Sequence, residues 1–326
     1  MIIRDGELMK KLFAIEKNPH RGLYAFEWAV MAYMLLTLVV ILFTWTKLVN
    51  PVSMLWGRFH FVAMTVALWV VYRLFPCRVT MFLRVVGQMS LLSWWYPDTY
   101  ELNRIFPNLD HLFATWEQQL FGCQPALLFS QAVSHPVFSE LMDLGYASYF
   151  PMMLVVLAYY FFCRPKELAR ASWVVLASFM LYYVIFVFLP VTGPQYYYGA
   201  IGLDQVARGI FPDVGDYFMH HSERLTSPGW TDGLFYHLVE HAHEAGERPT
   251  AAFPSSHVGI STVLMLLSMH TRSRRLTFAL LPFFLLLCVS TVYIQAHYVI
   301  DAIAGFFTGI AFYYLFWWMS RKFPTA

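Results

Sequence analysis

Apolar residues in this chain are gathered into long runs separated by short polar, mostly basic breaks. Eight runs, at roughly 26–49, 59–76, 79–96, 141–163, 171–190, 257–270, 276–295 and 298–319, approach the length that crosses a bilayer as a helix. A helix satisfies its own backbone polar groups, which hydrocarbon cannot do. The pattern therefore predicts an all-α fold, a polytopic membrane helical bundle of about eight transmembrane helices. The 79–96 run carries Arg84 and Gln88 and is the least apolar, and the 257–270 run is short.

Two polar stretches interrupt the runs. In the first, 97–140, Leu109, Leu112, Phe113, Trp116 and Leu120 recur at helical spacing, with Asn108 as a start signal and Gly122 as a stop. This predicts an amphipathic helix at the membrane surface. The second, 191–254, is acidic and histidine-rich, and is expected to form short helices that cover whatever lies beneath. Neither an internal repeat nor a low-complexity segment is seen.

Composition agrees with a membrane protein: 59% of the 326 residues are hydrophobic and only 13% charged, against about 25% in soluble domains. Nucleic acid is excluded as a partner, because no basic run supplies its electrostatic footprint. The four cysteines, Cys77, Cys123, Cys163 and Cys288, form no disulfide framework and are expected as small core residues. Sixteen of the 22 Lys and Arg residues fall on one side if the N-terminus is cytoplasmic. Both chain termini are then cytoplasmic, and His257 and His297 both lie outside.

Those histidines carry the candidate chemistry. His257 follows Pro254-Ser255-Ser256 at the start of an apolar run, where free backbone N–H groups and a helix dipole favour an anion such as phosphate. His297 and Asp301 are spaced i, i+4 and share a helix face. A carboxylate there keeps one ring nitrogen protonated and leaves the other free as a nucleophile. Each feature alone is commonly structural. Together, on one side of a membrane, they point to phosphoryl transfer. His220, His221, His237, His241 and His243 are expected as solvated loop residues, although His237 and His241 also have an i, i+4 ligand spacing. No metal is expected.

Pro254-Ser255-Ser256-His257 and Ser290-x6-His297-x3-Asp301 resemble the second and third signature motifs of the type 2 phosphatidic acid phosphatase superfamily, with similarity over roughly 140–320. The resemblance implies an all-helical bundle with at least a six-helix core. It makes His297 the nucleophile of a phosphohistidine, Asp301 its orienting partner and His257 the acid for the departing alcohol. The superfamily's phosphatases carry an arginine where this chain has Thr291. Their upstream Lys-x6-Arg-Pro motif is echoed only by His241-x6-Arg248-Pro249. Loss of these cations is similar to the sphingolipid-synthase branch, which includes inositol phosphorylceramide synthases. Glu117-x3-Phe121-Gly122-x-Gln124-Pro125, the Ser139–Tyr146 segment and the Leu189–Tyr196 segment are also similar to that branch.

The resemblance thus implies a phosphotransferase moving a head group such as phosphoinositol from a phospholipid to a lipid alcohol such as ceramide, without a cofactor. Ser255, Ser256, Arg248, Gln195 and Tyr293 would bind substrate. The alternative is a lipid-phosphate phosphatase, with water as acceptor. A transporter would need repeated halves and mid-membrane charges, and neither a transporter nor a plain scaffold accounts for the paired motifs. The expected organisation is a cytoplasmic tail, 1–25, and one membrane domain, 26–326. Within that domain lie accessory helices (26–96), an interfacial loop (97–140) and a catalytic core (141–320) with a lid loop (191–254). The compact chain, without eukaryotic sorting tails, points to a bacterial inner membrane.

Overall fold

The apolar runs fold as helices, and among the residues described by the computed structural model, 5–322, helix is the only extended regular element. Arg4 of the basic tail lies outside that range. The tail contributes α1 (Asp5–Leu12), and the first membrane-length helices are α2 (Ala25–Thr44) and α3 (Pro51–Leu74). Pro51 sits in the first turn of α3, where its missing N–H costs nothing.

The expected 79–96 span is not one helix. It breaks at Leu91 into α4 (Arg78–Ser90) and α5 (Leu92–Asn103). Its polar groups are paired inside the protein. Arg84 is fully buried and pairs with Glu27 of α2, and the Gln88 side-chain amide donates to Thr65 of α3 at 3.0 Å. A segment with such groups is held by protein partners, not by lipid. Arg58 likewise is no loop charge, because it is buried on α3 against Asp98 at 2.8 Å.

Next come α6 (Asp110–Phe121), α7 (Pro125–Ala132), α8 (Pro136–Ala147) and α9 (Tyr149–Cys163). The last two form one apolar path bent by 46° at Ser148. The central helix is α10 (Leu168–Phe188). Its most apolar window is 78% buried, whereas that of α3 is only 22% buried, which puts α3 at the lipid-facing rim. The histidine-rich stretch supplies α11 (Pro194–Ile201), α12 (Leu203–Ala207), α13 (Tyr217–His220) and α14 (Leu234–Gly246). The chain closes with α15 (Ser256–His270), α16 (Arg274–Tyr293) and α17 (Val299–Ser320).

Among the described residues, five helices (α2, α3, α10, α16 and α17) are long and apolar enough to cross a membrane; the bent pair makes six, and α15 is a shorter apolar helix. Phe43, Leu74, Phe278 and Phe307 project from them exposed, as lipid-facing side chains do. This is an integral membrane protein. Of the cysteines only Cys77 is buried, and Cys163 is exposed, so the expectation of four core residues fails.

Candidate active site

The site is built where α15 and α17 begin. These helices approach closely because glycines face each other. A Cβ on Gly305 would lie 2.4 Å from the Ser255 carbonyl oxygen, and one on Gly309 would lie 2.4 Å from that of Gly259. A direct tie fixes the same junction: the Ser255 N–H donates to the Asp301 carbonyl at 3.0 Å. Ser255 also caps α15, accepting the Val258 N–H at 3.3 Å on its hydroxyl. Among the described residues nothing accepts from the N–H groups of Ser256 and His257, so the positive end of α15 stays open to an anion.

His257 stands in that first turn with its ring half-buried between Tyr146 and Tyr149, at centroid distances of 4.7 and 4.5 Å. Both tyrosines come from the bend between α8 and α9. His297 lies in the short α16–α17 turn, which is set by a positive φ of 65° at Gln295 and by the His297 N–H donating to Thr291 at 3.0 Å. Its Nε2 is 3.5 Å from His257 Nδ1.

What orients His297 differs in detail from the sequence reading. Its Nδ1 lies 2.9 Å from the Ala252 carbonyl oxygen and 3.6 Å from Asp301 Oδ2. A carbonyl only accepts, so Nδ1 carries the proton and Nε2 presents its lone pair toward His257. The carboxylate of Asp301 accepts the Tyr298 N–H at 2.9 Å and supplies negative charge beside the ring.

The other expected residues divide. Ser255 and Ser256 lie at the open helix end. Gln195 is buried and donates to the Leu225 carbonyl at 2.9 Å, leaving its own side-chain oxygen without a partner. Tyr293 is packed against Phe129 and Phe138, and its hydroxyl donates to Val133 at 2.9 Å. Arg248 is exposed, bonds back to the Glu247 carbonyl and lines a separate cleft of about 270 Å³ with Asn50, Trp94 and Glu101. Among the described residues no hydrogen bond or ion pair joins Arg248 to either histidine.

Of the five loop histidines, His243 is not solvated. It is 4% exposed, 3.2 Å from Glu247 and 3.7 Å from Glu240, and its ring edge meets Tyr146 at 5.5 Å. Burial pushes the Glu240 carboxyl up, but His243 and the Arg224 guanidinium outweigh it and hold the group well below its ordinary range. Among the described residues no group of three or more His, Cys, Asp or Glu is placed to hold a metal ion.

Two carboxylates with the longest reach were missed as site residues. Glu117 of α6 accepts the N–H groups of Val299 and Ile300 at 3.0 and 3.1 Å. Asp110, on the same helix, accepts from Thr192, Gly193 and the Tyr298 hydroxyl. Their spacing of seven puts both on one helix face, and that was the available signal. Beside the junction, Val258, Phe284, Cys288, Val292, Ile303 and Phe307 line an open apolar groove of about 550 Å³ between α16 and α17.

A family model of the PAP2 superfamily matches residues 111–315, well over half of the chain. The chain belongs to the PAP2 superfamily. No curated protein and no solved structure matches it. The matched region starts within α6 and ends within α17, so the helix carrying Glu117 belongs to the family region and α2 to α5 precede it. Superfamily membership brings phosphatase or phosphotransferase chemistry on lipid substrates.

Proposed function

We propose that this PAP2 protein is a lipid phosphotransferase in which His297 is the nucleophile, His257 the general acid and base, and Asp301 the charge that steadies the imidazolium. The observation carrying the proposal is the approach of His297 Nε2 to His257 Nδ1, 3.5 Å apart, beside the unoccupied donors at the start of α15. A donor lipid places its phosphate oxygens on the Ser256 and His257 N–H groups, with a hydrocarbon chain in the groove between α16 and α17. Arg248 and Tyr293 have no role in this scheme, and Gln195 contributes its free side-chain oxygen.

The Nε2 lone pair attacks phosphorus, the bond to the glycerol oxygen breaks, and protonated His257 gives its proton to that oxygen. His257, now neutral, takes the proton of an acceptor hydroxyl, whose oxygen attacks phosphorus and releases His297. Proton transfer of this kind is worth roughly 10²–10⁴ in rate. Charge stabilisation by the helix end supplies a further part.

The acceptor in this proposal is a lipid alcohol such as ceramide, and the head group is phosphoinositol or a relative. The cation-poor motifs, with Thr291 in place of arginine, favour transfer over hydrolysis. The site faces the extracytoplasmic side of a bacterial inner membrane, with both termini inside. Purified protein in liposomes, given phosphatidylinositol labelled in the head group and ceramide, is expected to move label into a ceramide lipid. Label released to water as inositol phosphate instead would make the protein a hydrolase and not a transferase. Retained turnover in His297→Ala would remove the nucleophile.

A further inference from the structure

The start of α17 differs from that of α15 in one respect: its free donors are already taken. The Asp301 and Ala302 N–H groups turn back to the Tyr298 carbonyl, and the Tyr298 N–H goes to Asp301 Oδ2. That leaves Val299 and Ile300, and Glu117 accepts both, one on each carboxylate oxygen. The two N–H groups lie between His297 and Asp301 in sequence, and Glu117 reaches them from a helix about 180 residues earlier. Glu117 is fully buried. A carboxylate is the best partner for such a pair, because both oxygens accept and its charge complements the helix dipole.

We propose that Glu117 is a positioning residue: its ionised carboxylate latches the first turn of α17, fixing His297 against His257, and a proton on it releases the latch. Protonation removes the charge and turns one oxygen into a hydroxyl, a weaker acceptor, so the grip on one of the two N–H groups weakens. The titratable groups that act on it are Asp301 on α17 and Tyr198 on α11. Neither of these is a cation. Burial, helped by the charge of Asp301, pushes the Glu117 carboxyl up to about 7, which places the switch within a physiological range.

The proposal rests on His297 as the reacting group, and the test separates the two. Hydrogen–deuterium exchange of the 297–304 segment is followed in detergent-solubilised full chain from pH 5.5 to 8.5, corrected for intrinsic exchange. In wild type, protection is expected to fall at least tenfold as pH drops through 7. In Glu117→Gln, whose amide accepts only one N–H, protection is expected to be low at every pH. Head-group transfer from labelled phosphatidylinositol is measured alongside. Glu117→Gln is expected to lower kcat about tenfold at pH 8 with little change in KM and to remove that acid-side step, while Glu117→Asp keeps a pH-dependent step. Equal protection in wild type and Glu117→Gln overturns the latch. Lost protection with unchanged kcat overturns its bearing on the reaction. Protection behaving as expected while His297 carries no phosphoryl group would sink the functional reading and leave the latch standing.

Discussion

At the scale of single residues, the site is a set of hydrogen-bond choices that leave one lone pair free. The Ala252 carbonyl holds the His297 Nδ1 proton and cannot be removed by a side-chain substitution, so Asp301 is only part of the ring's support. Asp301→Asn keeps an acceptor for the Tyr298 N–H and loses the charge 3.6 Å from the ring. It is expected to lower kcat by roughly 10²-fold with KM little changed, and steady-state kinetics beside His297→Ala, which is expected to be inactive, checks the order. Glu117 makes a second, opposite demand. Its folded-state value near 7 lies above the ordinary 4.5, so between those values the folded chain binds more protons than the unfolded one. Stability then falls as pH rises through that interval. Thermal melts at pH 5 and 8 are expected to show part of the alkaline loss in wild type disappear in Glu117→Gln. A latch that works ionised in a buried place costs stability where it is active.

At the scale of elements, the glycine seam between α15 and α17 sets the geometry that these residues use. Gly305→Ala puts a methyl carbon 2.4 Å from the Ser255 carbonyl oxygen, a backbone atom that cannot swing aside. The helix ends must part, costing about 1–3 kcal/mol, and the Ser255–Asp301 tie goes with them. Both melting temperature and kcat are expected to fall, whereas Gly246→Ala at the end of α14, with nothing within 4 Å, serves as a neutral control. The same scale shows what the amphipathic pattern of α6 left out. Leu112, Trp116 and Leu120 made it legible as a helix, but these are exposed at 39, 48 and 69%, and the buried face holds Asp110, Phe113, Ala114 and Glu117. Periodicity reports that a helix has two faces. In a membrane protein it does not say that the apolar one turns inward.

At the scale of the whole molecule, what the sequence revealed was local, and what it hid was distant. The His257 and His297 motifs stood out because each is short and each ends in the first turn of a helix. The burial of Arg84 and Gln88 and the latch at Glu117 depend on partners far away in sequence, Glu27 and Thr65 for one and the start of α17 for the other, and no window of residues contains both sides. Orientation is also a whole-molecule property, and the burial of Arg58 and Arg84 removes two charges from the loop tally that set it. The native cysteines test it. Cys123 is half-buried in the turn after α6, on the side proposed to face outward, and exposed Cys163 ends α9 beside Arg164 on the side proposed to face the cytoplasm. Buried Cys77 and Cys288, which lines the apolar groove, are expected to react from neither side. With a membrane-impermeant maleimide, right-side-out vesicles of Cys163→Ser are expected to label at Cys123 and those of Cys123→Ser to stay unlabelled, with inverted vesicles giving the reverse. Labelling of Cys163 from outside would turn the molecule over and place both candidate histidines, His257 and His297, at the cytoplasmic face.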